Sequence, residues 1–454
     1  MIEKIQEIVE KAGDYCSTFP GVKSWDIIGG AVQSSSISIE KGFLKTTETS
    51  AHQAISIRIL GEQGKTGSVT ITKMSLPFIQ TSIENTVSLM KGSLPNHDFK
   101  GLAKPAEKYP NIQTPYDAVV KNLSIEDTSD IVDSFMNIKF KDERIVSVSG
   151  NFSFSDITYS LLNSNGVNLH DKESSISISS EITMEDVIKG NKENSNGYEG
   201  QIYNYFSEVN PEEIFESAYE KARMGLKKSK ISTDSYPVIL SPQAVVLLFN
   251  RTIAAAINAQ NIYEKRSFMR NQLDKKIASD QLEIRDDPWL KGGIATSAWD
   301  MEGTPTKPLK IIEKGVLNSY LHNVYTGNLF EAASTGHGSR GLHSTSVGIS
   351  PSNLQIMPGN ENLDAMVKGV KKGILLEASY DQPNIVTGEF SGLIASGFLI
   401  EDGVVKNALR ESTVGLNFFE IYKNIAGIGK EIYRRGSNYV PYIKIKDIKI
   451  SAKE

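Results

Sequence analysis

Residues that could do chemistry are concentrated in one stretch of this 454-residue chain, residues 300–340. The segment DMEGTP supplies the carboxylates of Asp300 and Glu302, and the segment STGHGSR places His337 among hydroxyl groups and glycines. Between these segments the sequence predicts two short strands that meet at a turn. The glycine-serine loop at residues 334–341 presents backbone N–H groups and polar side chains, and such loops commonly carry function. We therefore expect functional residues here.

A cysteine-based zinc site is excluded, because the chain has a single cysteine, Cys16, and its six histidines are the remaining candidate ligands. His337 and His343 are the only two histidines close enough in sequence to share a metal ion. Catalytic zinc needs three protein ligands with supporting hydrogen bonds, and no third ligand is evident near this pair. We interpret both residues as solvent-facing or hydrogen-bonded loop histidines in preference to metal ligands.

The glycine-serine loop has two interpretations that the residues alone leave open. Ser334, Thr335 and Ser339 could fix an extended peptide through hydroxyl and backbone N–H groups, with Arg340 holding a carboxylate. A tight turn between barrel strands explains the same residues equally well. A phosphate site is not expected, because the loop lacks the spacing and the lysine of a phosphate-binding loop.

The acidic pairs favour structural roles over catalysis. Asp286 and Asp287 precede a proline, and turn formation explains such a sequence better than acid/base chemistry does. Asp300 and Glu302 could act as an acid/base pair only at a defined separation, which the sequence does not give. Ser391 has no evident histidine partner, so a serine nucleophile is not predicted.

Composition and charge exclude several classes of protein. The net charge of -5 provides no basic field for a phosphate backbone, so nucleic acid is not an expected partner. A single cysteine rules out an internal disulfide framework and fits a reducing, cytoplasmic setting. The N-terminal segment has the spacing of an amphipathic helix, without the apolar block of a signal peptide. No stretch reaches the roughly 18 to 20 apolar residues of a membrane span.

The helix and strand patterns predict an α+β protein. The N-terminal part reads as a helix with antiparallel hairpins, and the order of helix, strands and helix occurs twice, which suggests an internal duplication. Residues 191–200 are predicted to form an exposed loop, and residues 243–260 an interior helix. The predicted units are an N-terminal α+β domain, a linker, a central α+β domain and a C-terminal β-rich, barrel-like domain with packed helices, at residues 1–92, 93–117, 118–230 and 231–454.

Six motifs occur in the order and spacing of the TldD/PmbA peptidase family, which this sequence resembles most clearly in its C-terminal half. Together they are far more specific than any one motif. They are DDP at residues 286–288, DMEGTP at 300–305, IIEKGVLNSYL at 311–321, STGHGSR at 334–340, PSNLQIMPG at 351–359, and TGEFSG with SGFLIEDG at 387–403.

The resemblance implies two kinds of subunit. The TldD kind holds zinc with a His-Glu-x-x-x-His helix and a distal cysteine, whereas the PmbA kind, also called TldE, lacks these ligands and pairs with TldD. Here the three helix positions match Phe249, Asn250 and Ala254, none of which suits zinc or general-base chemistry. By the same analogy, Glu389 and Phe390 are expected to line a peptide groove, although Phe390 also fits a core position.

We therefore expect a PmbA/TldE-type subunit without a zinc site or cofactor of its own. The resemblance implies that a TldD-type partner supplies zinc and that the pair encloses a chamber for unfolded or small peptides. One alternative is a non-enzymatic, peptide-binding homodimer. A further alternative is an independent metallopeptidase that uses His337 and His343.

Overall fold

The computed structural model describes residues 2–138 and 141–452 of the chain. It confirms the predicted α+β class, with a large antiparallel sheet in the N-terminal half and a β-rich C-terminal region that carries short helices. Within these two described ranges, no helix is both long and apolar enough to cross a membrane.

The N-terminal sheet has the strand order β3-β2-β1-β4-β5-β6, and all neighbouring strands are antiparallel. The alternation of Ile or Phe with Ser, as in FSFS and SISIS, gives the central strands one apolar face, which fixes their register. The strands are β1 (Ser24–Glu40), β2 (Phe43–Leu60), β3 (Thr66–Ile71), β4 (Ile145–Asn163), β5 (Asn168–Ile188) and β6 (Asn191–Tyr203). The helices of this half are α1 (Ile2–Ser17), α2 (Leu76–Gly92), α3 (Ala118–Asn122), α4 (Ser129–Asn137) and α5 (Pro211–Gly225).

The prediction of an exposed loop at residues 191–200 is wrong. These residues belong to β6, which pairs with β5 along its whole length. Lys189 and Gly190 form the connection with φ angles of 53° and 81°, as a two-residue hairpin turn requires. The strand is polar because it lies at the edge of the sheet, where charged and polar residues discourage pairing with other chains. The amino-acid composition of this strand therefore resembles that of a loop.

The sheet continues across the predicted linker. Strand β1 pairs with β2 on one side and with β4 on the other, so strands from residues 1–92 and from residues 118–230 share one hydrogen-bonded sheet. The helices on its apolar face form two clusters, one around Ile27 and Ile57 and one around Phe152 and Ile178. The domain boundaries and the internal duplication stay predictions.

The C-terminal region is a mixed β structure around one large apolar cluster. Its main sheet has the order β16-β19-β23-β8-β15-β17-β18-β7 with β20 beside β23, a second sheet has the order β11-β10-β9-β14-β22-β21, and β12 pairs with β13. The strands are β7 (Lys228–Ser229), β8 (Asp234–Leu240), β9 (Ile284–Asp286), β10 (Leu309–Glu313), β11 (Val316–Leu317), β12 (Gly338–Ser339), β13 (Gly348–Ile349), β14 (Leu354–Ile356), β15 (Lys372–Ala378), β16 (Glu389–Leu393), β17 (Ser396–Glu401), β18 (Val404–Leu409), β19 (Ser412–Asn417), β20 (Ile425–Ile428), β21 (Tyr433–Arg435), β22 (Asn438–Val440) and β23 (Ile443–Ala452).

The predicted interior helix at residues 243–260 is buried as expected, but it is not one continuous helix. It consists of α6 (Pro242–Ala244), a π-helical segment (Val245–Asn250), α7 (Arg251–Ala256) and α8 (Ala259–Tyr263). Asn258 ends the run because it takes an extended conformation and its side chain caps α8. The remaining helices are α9 (Val324–Leu329), α10 (Leu363–Lys368) and α11 (Phe418–Lys423).

The two halves of the molecule pack directly against each other. On the sheet face opposite the helices, Ile28, Tyr159 and Leu161 form an apolar cluster with Ala298 and Trp299 of the C-terminal region. The rings of Tyr159 and Trp299 meet edge to face, with centroids 5.6 Å apart. This contact brings the segment that begins at Asp300 against the sheet.

Candidate functional site

His337 is buried, with only 2% of its surface exposed. Its Nδ1 atom lies 2.8 Å from Thr335 Oγ1, and its Nε2 atom lies 3.0 Å from Asp286 Oδ2. The predicted hydrogen-bonded role is therefore confirmed, whereas the solvent-facing alternative is wrong because the loop folds inward. His343 is exposed, so the two histidines differ in their surroundings. With both ring nitrogens engaged, His337 has no free nitrogen to share a metal ion with His343.

The two residues of the Asp-Asp-Pro motif differ in their roles. Asp287 Oδ1 accepts a hydrogen bond from the backbone N–H of Trp289 at 2.9 Å, which is the predicted turn chemistry. Asp286 ends strand β9 and is fully buried. Its Oδ2 atom contacts His337, and its Oδ1 atom has no hydrogen-bond partner among the described residues. A buried carboxylate of this kind depends strongly on its one side-chain partner.

Asp300 and Glu302 are buried acids held by backbone N–H groups. Asp300 Oδ1 accepts hydrogen bonds from the N–H groups of Glu302 and Thr304, and its Oδ2 accepts one from Gly338 at 2.7 Å. Glu302 Oε2 accepts a hydrogen bond from the Val324 N–H at 2.7 Å. Burial raises the pKa of both carboxyl groups, and the charge of Asp300 raises that of Glu302 further. The pair thus ties the loop to helix α9.

Arg340 holds a carboxylate, but the carboxylate belongs to the protein. Its Nη1 lies 2.7 Å from Asp26 Oδ1, and its other N–H groups donate to the backbone carbonyls of Ser56 and Ser344. The Arg340 side chain is only 1% exposed, so it is not presented to a peptide. Burial raises the pKa of Asp26, but the charges of Arg58 and Arg340 outweigh burial, and the net pKa is lowered.

The hydroxyl groups of the glycine-serine loop have two different roles: some hold the loop in shape, and one lines a cavity. Ser334 and Thr335 both donate hydrogen bonds to the backbone carbonyl of His322, at 3.2 and 3.1 Å, as the turn interpretation requires. Ser339 lies in strand β12 and lines a cavity. Peptide contacts by these three residues stay a prediction.

Glu389 and Phe390 are neighbours in strand β16 with opposite environments. Glu389 is exposed, whereas Phe390 is 5% exposed and packs in the C-terminal apolar cluster. The core alternative for Phe390 is therefore confirmed. A contact of Glu389 with a peptide stays a prediction.

Two cavities flank the segment that contains Asp300 and Glu302. The first has a volume of about 300 Å³, and its lining includes Tyr159, Glu173, Trp299, Asp300, His337 and Ser437. The second has a volume of about 450 Å³, and its lining includes Arg58, Phe99, Asn258, Glu302, Asn323 and Tyr325. Both volumes fall within the range typical of ligand pockets, the first at its lower end. The sequence-predicted residues Asp300, His337 and Ser339 thus meet in one cavity.

Phe249, Asn250 and Ala254 lie in the buried helical run. Phe249 is fully buried, and its ring centroid is 4.9 Å from that of Tyr422. Asn250 Nδ2 donates a hydrogen bond to Asn438 Oδ1 at 2.9 Å, and its own Oδ1 is buried without a partner among the described residues. Ala254 packs against the same apolar cluster. The contact between Asn250 and Asn438 joins this helical run to the C-terminal strand β22.

Family models match most of the chain. The model for the PmbA/TldA metallopeptidase central domain matches residues 119–226, and the model for the C-terminal domain matches residues 233–452. This chain belongs to the TldD/PmbA family. The resemblance drawn from its six motifs is thereby confirmed.

Relatives of the TldD/PmbA family align with different shares of the chain. A metalloprotease PmbA homolog of Buchnera aphidicola is 30% identical over 53% of this chain and 52% of its own length, so the chain spans about half of that relative. A metalloprotease PmbA homolog of Haemophilus influenzae is 27% identical over 92% of this chain and 89% of its own length. The crystal structure of TldE from Thermococcus kodakarensis has the same fold, with a TM-score of 0.87 at 19% identity, over 99% of this chain and 100% of that one.

The helix positions that the resemblance assigns to zinc do not carry the side chains of zinc ligands. The resemblance implies a His-Glu-x-x-x-His helix and a distal cysteine in the TldD kind of subunit, whereas the matching helix positions here carry a phenyl ring, an amide and a methyl group. Across residues 2–138 and 141–452, no group of three or more His, Cys, Asp or Glu side chains could hold a metal ion. The helical run and the C-terminal segment still meet, through Asn250 and Asn438.

Several residues of this candidate site were not found from the sequence. Asp26, Arg58, Tyr159 and Glu173 lie in strands of the N-terminal sheet and reach the loop only through the packing of the two halves. Their local sequences carry no motif. One usable signal is Glu173, which follows Asp171 on the same face of a strand that is otherwise rich in serine.

Proposed function

We propose that this chain is a PmbA/TldE-type subunit that has no catalytic zinc and joins a TldD-type peptidase subunit. The pair would enclose a chamber for unfolded or small peptides. The observation that carries the proposal is the replacement of the zinc-binding helix positions by Phe249, Asn250 and Ala254. Phe249 fills the core and offers no ligand atom, and Asn250 donates a hydrogen bond to Asn438, which leaves a single amide oxygen at these positions.

In this proposal hydrolysis takes place in the partner, where zinc supplies the activated water. This chain contributes walls, an interface and a surface that holds peptide. Its own buried acids act structurally, because Asp300 and Glu302 accept backbone hydrogen bonds that shape the loop. His337 is held between Thr335 and Asp286 and fixes the position of the same loop.

The sheet offers a surface that suits a chamber wall. On the face opposite the helices, Ser36, Ser153 and Ser177 stand side by side across β1, β4 and β5, and each is half-buried. A parallel row is formed by Ser34, Ser155 and Ser175. Short hydroxyl side chains can exchange hydrogen bonds with a peptide backbone of any sequence, without strong charge preference. Such a surface favours many brief contacts over one tight complex.

Co-expression with a TldD-type subunit tests the proposal. We expect the two chains to co-purify, and a fluorogenic peptide to be hydrolysed by the pair but not by this chain alone. Zinc should be present at one ion per pair, and a Glu→Gln change in the partner's His-Glu-x-x-x-His helix should abolish turnover. Hydrolysis by this chain alone, with stoichiometric zinc, would falsify the proposal.

The same experiment separates the two alternatives. A non-enzymatic homodimer would remain alone in the presence of the TldD-type subunit, and its mass would be twice that of one chain. An independent metallopeptidase based on His337 and His343 would lose its metal when either is changed. The geometry disfavours that alternative, because both ring nitrogens of His337 already have partners.

A further inference from the structure

The cavity beside His337 has walls from both halves of the molecule. Strands β4 and β5 contribute Tyr159 and Glu173, and the C-terminal region contributes Trp299, Asp300 and Ser437. Its volume is about 300 Å³, and none of its described lining residues is Lys or Arg. The cavity therefore contains acidic side chains and no lysine or arginine that could neutralise them, and its one histidine, His337, already contacts Asp286.

Glu173 differs from the other acids near this cavity in having no partner. Asp300 accepts three backbone hydrogen bonds, and Asp171 accepts hydrogen bonds from the Thr114 hydroxyl and the Lys172 N–H. Among the described residues, no hydrogen bond or ion pair reaches the Glu173 carboxylate, although Glu173 is only partly exposed to solvent. The Lys172 ammonium is directed elsewhere, over the Tyr116 ring. A partly buried carboxylate without a partner is unfavourable to the fold.

The other walls suit a positively charged group. Tyr159 and Trp299 are 3% and 6% exposed and meet edge to face, so the cavity has aromatic walls next to the carboxylate. Aromatic rings and a carboxylate together recognise ammonium and guanidinium groups through the ring quadrupole and an ion pair. Hydroxyl groups from residues such as Ser437 and Ser339 complete the polar part of the lining.

We propose that this cavity binds an organic cation, a primary ammonium or a guanidinium, with Glu173 as its counter-ion. In the peptide role proposed above, on which this part rests, the cation is a lysine or arginine side chain of the bound peptide. The preference for a basic side chain then comes from this subunit and not from the zinc site of its partner. The binding site itself requires neither zinc nor the partner.

The ionisation of Glu173 gives this proposal a second signature. Burial raises the pKa of Glu173 to about 7, and the charge of Asp171 adds to the effect. A cation binds the ionised form, so its affinity should rise between pH 6 and pH 8, by roughly tenfold for one linked proton. Lysine and arginine side chains stay charged over this range. Asp300 and His337 also line the cavity, and a Glu173→Gln variant separates the contribution of Glu173 from the contributions of these two residues.

Calorimetric titration of the full chain tests the site with three probes: the peptide N-acetyl-Ala-Lys-Ala-amide, the same peptide with norleucine, and agmatine. We expect the lysine peptide to bind the wild-type chain at pH 8 at least about tenfold more tightly than the norleucine peptide, as one charge-assisted contact gives. Glu173→Gln should remove this difference. Glu181→Gln is the matched control, because Glu181 lies on the same face of β5 but is exposed and outside the cavity.

Each outcome decides a separate point. Equal binding of the lysine peptide by wild type and Glu173→Gln overturns the cation site. Glu173-dependent binding of agmatine without binding of the lysine peptide supports the cation site and overturns the peptide as its source. Because no partner or hydrolysis is involved, failure here is distinguishable from failure of the subunit proposal.

Discussion

The guanidinium of Arg340 lies 2.7 Å from the carboxylate of Asp26, a residue 314 positions away in the chain. Arg58 binds the other oxygen of the same carboxylate, with its Nε 2.9 Å from Asp26 Oδ2. Asp26 and Arg58 belong to neighbouring strands of the N-terminal sheet, whereas Arg340 lies in the glycine-serine loop. This buried cluster therefore fixes the position of the loop relative to the sheet, and with it the shape of both cavities.

Replacing Arg340 with methionine should destabilise the protein by about 3 kcal/mol. The change leaves two backbone carbonyls without their donor and takes one of two counter-ions from a buried carboxylate. Urea unfolding measures the effect. Arg223→Met is the matched control, since Arg223 forms an exposed pair with Glu220 that should contribute less than about 0.5 kcal/mol. Equal losses for the two variants would show that the buried cluster does not hold the halves together.

Glu302→Gln should make the protein less sensitive to alkaline pH. Burial and the charge of Asp300 raise the folded-state pKa of Glu302. A carboxyl group with a raised folded-state pKa stabilises the fold fully below its unfolded pKa, and this stabilisation is lost as the pH rises through the folded value. We expect the free energy of unfolding of the variant, measured with urea, to exceed that of wild type by roughly 1 to 3 kcal/mol at pH 8. At pH 4 the two free energies should differ little.

Glu107→Gln serves as the control for this pH comparison, because Glu107 is exposed and the substitution changes the charge equally. Its stability should follow that of wild type at both pH values. If Glu302→Gln and Glu107→Gln follow the same pH curve, Glu302 is ionised at no cost in the folded state and the assigned direction of its pKa is wrong.

The elements that depend on local pattern could be predicted from the sequence. The alternation of apolar residues with serine identifies strands such as β4 and β5, and turn chemistry identifies the hairpin at Lys41-Gly42, where both φ angles are positive. Strand β6 was missed because an edge strand needs no apolar face. The break before α8 was missed because the apolar pattern continues through it. Asn258 acts as a helix cap only in its extended backbone conformation, which the sequence does not show.

Only those residues of the candidate site that come from the single segment 300–340 could be predicted from the sequence. Asp300, His337 and Ser339 were chosen from a single stretch, and they line one cavity. Asp26 and Glu173 were not found, because strand register and the packing of the two halves bring them to the site. Arg340 was assigned to a ligand for the same reason, since nothing in the sequence shows that a carboxylate of the protein itself already binds it.

Asn250→Glu should destabilise the protein and should not create a zinc site. Asn250 donates a hydrogen bond to Asn438 Oδ1, and a carboxylate at this position cannot donate when ionised. A buried, unpaired carboxylate should cost about 2 to 4 kcal/mol. Asn196→Glu is the control, since Asn196 is exposed on β6. Urea unfolding and metal content of the purified variants check both expectations, and stoichiometric zinc in Asn250→Glu would contradict the assignment of this position as degenerate.

His337 and Asp286 should show strong energetic coupling. His337→Leu leaves the Asp286 carboxylate fully buried without a side-chain partner, so we expect a loss of about 3 kcal/mol. Asp286→Leu alone should also destabilise, but the double variant should cost at least about 1 kcal/mol less than the sum of the single changes, because it removes both members of the pair. His343→Leu, at an exposed position, should leave stability within about 0.5 kcal/mol of wild type. Additive losses in the double-mutant cycle would show instead that the 3.0 Å contact contributes nothing specific and that His337 serves only to fill space in the loop.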